Sequence, residues 1–246
     1  MNYKLDVNEI KAHLKNNVDV LIFDTLHSTN NTAKELLFSG APNGMAIIAD
    51  GLTGARGRQG KAFFAPKGGV YFSVILNLNN SPELITVIAA VAVCEAIEKT
   101  TNLTPKIKWV NDIFLHGKKV CGILAEAIPN GIILGIGINF NATNFPAELN
   151  ETATSLFVNE PPSVTRNKLI AEILNGIFEN DSCENTLKKY KSRLFILGRQ
   201  ITFEYCGSLK TATALDIDNK GRLTVRLKSG EILTLEAGEI KLVKQG

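Results

Sequence analysis

The sequence is poor in the residues from which metal sites and disulfide frameworks are built. Its four cysteines, Cys94, Cys121, Cys183 and Cys206, stand far apart without Cys-x-x-Cys spacing, and its three histidines are equally scattered. No zinc or other metal site is predicted; four free, structural thiols in a reducing cytoplasm are. Long apolar runs are missing too. No stretch approaches the ~18 residues of a membrane-spanning helix, and MNYKLDVNEIKAHLKNN lacks the apolar segment of a signal peptide. A cytoplasmic chain with no membrane partner is expected. Nor is there an excess of one charge: 27 basic and 24 acidic residues leave +3, so bulk electrostatics makes no case for nucleic acid. What is plentiful is apolar content, 45% of 246 residues, ample for a core in one large domain or a large and a small one.

Residues 6–17 read as a short amphipathic helix and Val20–Leu26 as a strand. A helix follows, with Thr32-Ala33-Lys34-Glu35 matching a capping box before Leu36 and Leu37. Met45–Asp50 and Val70–Leu78 are apolar strand runs. Between them, Gly51–Gly69 has six glycines and no apolar periodicity, the mark of a long loop that is functional or disordered. Ser81-Pro82-Glu83 supplies an N-cap, a first-turn proline and an early acid to a helix apolar on nearly every side, hence buried. KIKWVND, IFLHGKKVCGILAEA and IILGIGINF read as further strand segments, the middle one turning at His116-Gly117. Two helices lie between Ser163 and about Lys191. Five short alternating runs, from RQITFEY to EIKLV, then predict a small SH3-like β-barrel. The fold class is α+β: a mixed β-sheet with helices packed on one face in residues 1–194, and the barrel in residues 195–246.

Five segments carry chemistry. ARGRQGK combines glycines, which let backbone amides approach an anion, with arginine forks suited to phosphate or carboxylate. It is not a P-loop: Ala55 stands where the first glycine belongs and Ala62 where a metal-binding Ser or Thr belongs. A solvated basic loop or an RNA-contacting patch is the alternative. KWVND, by strand alternation, puts Lys108, Val110 and Asp112 on one face; a turn opener is the plainer reading. In HGKKVCGILAE, Lys118 and Lys119 start a returning strand that Gly122 interrupts, which marks a bulge or a close backbone approach. GIGINF lacks the third glycine of a dinucleotide site and opens no helix. In HSTNNT, helix capping is the default role of Ser28 or Thr29.

The order STN, RGRxG, KWxND, K-x-x-G-I-L-x-E and GIGIN, ending in a small barrel, resembles the biotin protein ligase family from about Val20 to the C-terminus. The resemblance implies a class II synthetase-like core that uses ATP and Mg²⁺ to make biotinyl-AMP. It also implies transfer of biotin to one lysine of a biotin carboxyl carrier protein. Arg56, Arg58 and Lys119 match positions that hold the carboxylate and phosphate, with Gly57 between the arginines. Ser28, Thr29 and Asn30 match the segment lining the biotin pocket, where hydroxyl and amide groups suit a neutral ureido ring. Gly122 allows close approach to the ligand. Phe63 stands where the family carries tryptophan and is expected over the adenylate; Asn139 matches a position near adenine. Lys108 and Asn111 complete the expected nucleotide contacts. Asp112 is the candidate that positions or accepts the proton of the attacking lysine, alongside Lys119 and Arg58 in catalysis.

Three departures accompany the resemblance. Leu52 replaces a glutamine expected near biotin, Gly54-Ala55 replaces Ala-Gly, and Val110 replaces the proline of KWPND. Leu52 mildly favours the rival reading, a lipoate or octanoate ligase or transferase of the same core. A DNA-binding regulator is a second rival, but fewer than twenty residues precede Val20, too few for a helix-turn-helix, so no DNA partner is expected. A monomer or a homodimer formed through a sheet edge is compatible with all this.

Overall fold

The structure, a computed structural model, describes residues 4–78, 82–158, 160–179 and 182–243. Its main sheet has seven strands: β1 (Val20–Leu26), β2 (Ala46–Leu52), β3 (Val70–Leu76), β4 (Lys106–Lys108), β5 (Asp112–Leu115), β6 (Lys118–Ile128) and β7 (Gly131–Ile138). They lie in the order β1-β2-β3-β7-β6-β5-β4. Only β1 and β2 run parallel, joined by helix α2 (Thr29–Phe38); the other neighbours are antiparallel. The sheet is mixed, as expected, with a single βαβ unit at its edge.

The remaining helices of this part are α1 (Val7–His13), α3 (Pro82–Thr100), α4 (Arg166–Phe178) and α5 (Cys183–Arg193). Helix α3 is buried along most of its length at the centre of the core, against α4 and the strands. The expectation of helices on one face holds for these four but not for α2. Ala33 of α2 packs on Ile47, Ile75 and Ile133, a separate apolar cluster on the other side of the sheet. The reason is local: β2 and β3 are apolar at consecutive positions, so both of their faces require cover.

Two local readings change. The capping box at Thr32 lies inside α2; the N-cap is Ser28, whose Oγ accepts from Asn31 N–H at 3.4 Å. KIKWVND is not one strand. Strand β4 stops at Lys108, the chain turns at residues 109–111, and Asp112 opens β5 opposite Lys108. Lys108 and Asp112 are thus cross-strand partners, not alternate residues of one strand. Trp109 Nε1 donates to Gly221 O at 3.0 Å and Tyr190 Oη donates to Val110 O at 2.9 Å, so two buried rings pin the turn. The Ser81 N-cap lies outside the described residues.

The C-terminal part is a five-stranded antiparallel sheet: β8 (Gln200–Tyr205), β9 (Ser208–Ile217), β10 (Leu223–Leu227), β11 (Ile232–Leu235) and β12 (Ile240–Leu242). Its order is β11-β10-β9-β8-β12, with no pairing between β11 and β12 among the described residues. The predicted strands are present, but the hydrogen-bonded ladder does not close into a barrel. Its inner residues, among them Ile201, Ala214, Leu223 and Val225, continue the core of the main sheet.

All four cysteines are free. Cys94 and Cys121 are buried, and burial pushes the Cys94 thiol up to about 12 and that of Cys121 well above its usual value. A colorimetric thiol titration of the folded protein is expected to count two fast groups, Cys183 and Cys206, and four after denaturation. Four fast thiols at the outset would contradict this packing. No described helix is long and apolar enough to cross a membrane.

Candidate active site

Twelve of the thirteen expected site residues line one cleft: Ser28, Thr29, Asn30, Arg56, Gly57, Arg58, Phe63, Lys108, Asn111, Asp112, Lys119 and Gly122. Asn139 is the exception. It sits just past β7 with its Nδ2 donating to Thr154 O at 3.1 Å, while its Oδ1 is buried without a partner. Asn111 lines the cleft, but its Nδ2 donates to Ile123 O at 2.7 Å, so its amide fastens the turn to β6.

The floor is made by glycines. Gly122 of β6 pairs with Gly137 of β7, and Gly135 lies on the same face of β7 as Gly137. A Cβ at Gly137 meets the Phe63 ring at 2.8 Å, and one at Gly122 meets it at 3.3 Å. A Cβ at Gly135 collides with Asn30 Oδ1 at 2.2 Å. The glycines of GIGINF therefore make room for side chains, not for a dinucleotide. Phe63 rests on this floor with Lys119 Nζ 6.0 Å from its ring centre.

Cations gather beside the floor. Lys119 Nζ lies 2.6 Å from Asp112 Oδ1, and both side chains are partly exposed. Lys108 stands opposite Asp112, and burial draws its pKa down, an effect that the Asp112 charge opposes. The Gly51–Gly69 loop that brings Arg56 and Arg58 is ordered into a small ribbon. Arg56 bridges to Ala62, Gly57 N–H donates to Lys61 O at 2.7 Å, and the tip turns at Gln59 and Gly60, both with positive φ.

Neither the loop's anchor nor its contact with the second sheet was foreseen. At its base, Arg166 of α4, 5% exposed, is ion-paired with Asp50 and donates to Gly69 O at 3.1 Å, clamping both ends. Replacing Arg166 by alanine leaves Asp50 half-buried without its counter-ion and is expected to destabilise the fold by about 3 kcal/mol, read from urea unfolding. A loss near zero would mean the clamp is dispensable. At its tip the loop meets the segment before β12: Arg58 Nη1 lies 3.4 Å from Gly238 O, and Lys61 is ion-paired with Glu239. That hydrogen bond from Lys61 holds the Glu239 carboxyl below its usual range.

The cleft also has a neutral polar region. Ser73 Oγ lies 2.7 Å from Thr29 Oγ1 and 2.6 Å from Asn30 Oδ1. Asn30 Nδ2 donates to Glu126 at 2.6 Å, and Lys34 pairs with Glu126 at 2.7 Å. Ser73, Lys34 and Glu126 do not line the cleft but stand behind Thr29 and Asn30; no role at the site was foreseen for them, although Ser73 is a lone serine within VYFSVIL and Glu126 closes the K-x-x-G-I-L-x-E pattern. Leu52 lines the cleft as well. The Gly54-Ala55 departure has a steric cause: a Cβ at Gly54 meets the His27 ring at 1.9 Å.

Known proteins resemble the chain over both of its sheets. The profile of the Biotin/lipoate A/B protein ligase family matches residues 22–142, and that of the biotin protein ligase C-terminal domain matches residues 196–243. The chain is 39% identical to the bifunctional ligase/repressor BirA of Bacillus subtilis over 186 residues, covering 70% of this chain and 57% of that protein. The chain thus spans little more than half the length of that relative. It is 27% identical to the biotin--[acetyl-CoA-carboxylase] ligase of Mycobacterium tuberculosis, covering 88% of this chain and 87% of that protein. The biotin protein ligase of Aquifex aeolicus in complex with biotin and ATP superposes with a TM-score of 0.80 at 28% identity, covering 92% of this chain and 99% of that one. The profile matches span both sheets and the cleft they share, and the chain belongs to the biotin protein ligase family.

Proposed function

We propose that the protein activates biotin with ATP and passes the biotinyl group to a lysine of a biotin carboxyl carrier protein in the cytoplasm. One observation carries this reading: a single cleft holds five cations, Arg56, Arg58, Lys61, Lys108 and Lys119, and a neutral array of hydroxyl and amide groups over a glycine floor. In the first step a biotin carboxylate oxygen attacks the α-phosphorus, the bond to pyrophosphate breaks, and biotinyl-AMP forms. Negative charge builds on the phosphate as it does so, and Arg56, Arg58, Lys108 and Lys119 are the groups that neutralise it. In the second step the lysine amine attacks the acyl carbon, AMP departs, and the ammonium proton passes to Asp112.

Ser28 uses an Oγ lone pair to cap α2, so its proton is free for the ureido carbonyl. Thr29 and Asn30 are assigned to the same ring, Gly57 and Gly122 to close backbone contact. Asn111 supports the turn that carries Lys108 and Asp112. Asn139 is assigned to the adenine side although it lies outside the cleft lining, its buried Oδ1 being an amide atom left to accept there. Mg²⁺ bound with ATP would supply further neutralisation of the phosphate charge. Among the described residues no cluster of three or more His, Cys, Asp or Glu is placed to hold a metal, so no protein cage is assigned to it. The proposal includes a division into a catalytic unit, residues 1–194, and a C-terminal unit, residues 195–246.

The lipoate alternative rests on Leu52 alone, and the hydroxyl and amide groups around Thr29 have nothing to bond in a saturated acyl chain. Pyrophosphate–ATP isotope exchange is expected with biotin and not with lipoate; exchange with lipoate only would overturn the assignment. The Gly51–Gly69 loop is expected to become resistant to protease when biotin and ATP are added together, because the flap closes over the adenylate. Unchanged cleavage would remove that role.

A further inference from the structure

We infer that Glu126 and Ser73 act as positioning residues that fix the direction of hydrogen bonding at Thr29, so that the cleft accepts a ligand N–H there. The inference rests on the assignment of Thr29 to the ureido ring. It starts from the Glu126 carboxylate, which is ion-paired with Lys34 and can only accept. Asn30 must therefore turn its NH₂ toward Glu126, at 2.6 Å, and its Oδ1 toward Ser73, also at 2.6 Å. An amide oxygen only accepts, so the Ser73 hydroxyl spends its single proton on Asn30. The 2.7 Å contact between Ser73 Oγ and Thr29 Oγ1 then has one consistent direction, with Thr29 as donor. Its proton committed, Thr29 offers the cleft lone pairs alone.

Burial makes this polarity binding. Thr29, Asn30 and Ser73 are all at least nine-tenths buried, so water does not readily supply a substitute partner. Gly135 admits Asn30 in this position, since the Asn30 amide sits where a Cβ would be. A urea N–H meets an acceptor at Thr29, whereas a ligand presenting a carbonyl there meets a second acceptor. Four side chains, from α2, β3 and β6, thus select for a donor at the position of Thr29.

The test compares KM for biotin with KM for biotin N-methylated at each ureido nitrogen in turn, in the isotope-exchange assay. Glu126→Gln lets residue 126 donate, so Asn30 and the two hydroxyls can reverse. Glu126→Gln and Ser73→Ala are each expected to raise KM for biotin about tenfold, with little change in kcat or in KM for ATP. The ratio of analogue KM to biotin KM is expected to narrow by a similar factor, for the nitrogen that faces Thr29. A merely structural role would raise both KM values together and keep the ratio, which would overturn the inference. Thr29→Val is the accompanying control. If it leaves KM for biotin unchanged, both the ureido placement and the relay are wrong. If it raises that KM while Glu126→Gln and Ser73→Ala keep the ratio, the placement stands and the relay fails.

Discussion

Substituting alanine for Lys119 is expected to lower biotin-dependent pyrophosphate–ATP exchange by about 10²- to 10³-fold, the usual cost of removing one preorganised donor from a developing oxyanion. The protein is expected to remain folded. Its backbone at this position is held independently of the side chain: Lys119 N–H donates to Thr152 O at 2.8 Å, and Lys119 O accepts from Thr154 N–H at 2.9 Å. The ion pair with Asp112 is partly solvent-exposed and contributes no more than about 1 kcal/mol to stability. A folded and fully active variant would remove Lys119 from the chemistry. The loss is expected in kcat more than in KM for biotin, because charge on the phosphate is greatest in the transition state.

The second large effect is expected from Asp112→Asn in the transfer step. A free lysine has a pKa of ~10.4, so the acceptor amine arrives protonated and must be relieved of that proton to attack. Among the described residues two carboxylates line the cleft, Asp112 and Glu239, and Glu239 is engaged by Lys61 on the loop. Asp112 is held by Lys119, and an adenylate phosphate that draws the Lys119 ammonium away frees it to accept. Asparagine preserves the shape and removes the basic oxygen. With isolated biotinyl-AMP and carrier protein, single-turnover transfer is expected to slow about 10²-fold, and adenylate formation by much less. Equal losses in both half-reactions would show that Asp112 serves only to place Lys119.

Much of this site is present in the chain as local pattern. The glycine-rich loop lacks apolar periodicity because it packs on nothing continuous, and it does deliver Arg56 and Arg58 to the cleft. Val20–Leu26 and the His116-Gly117 turn fall where their residue types put them; both turn residues have positive φ. The face of β10 carrying Leu223, Val225 and Leu227 turns inward as its alternation requires. The failures are equally physical. KWVND has the composition of a strand, yet it is split by a turn held by distant elements: Gly221 O accepts from Trp109 of the turn, and Tyr190 donates to Val110 O. Thr32 matches a capping pattern, but Ser28 one turn earlier is the residue that stands at the end of β1 with extended geometry.

By itself the amino-acid sequence determined which segments extend, which coil into helices and which stay open for a ligand, since these follow from side-chain periodicity and turn residues within a few positions. Tertiary structure alone decided what meets what. Lys61 reaches Glu239, Arg166 clamps Asp50 and Gly69, and Ser73 joins Asn30 to Thr29, because strand order and helix packing bring these positions together. Such pairings span from tens of residues to most of the chain's length, where periodicity carries no information and only the closing of the core sets the distance.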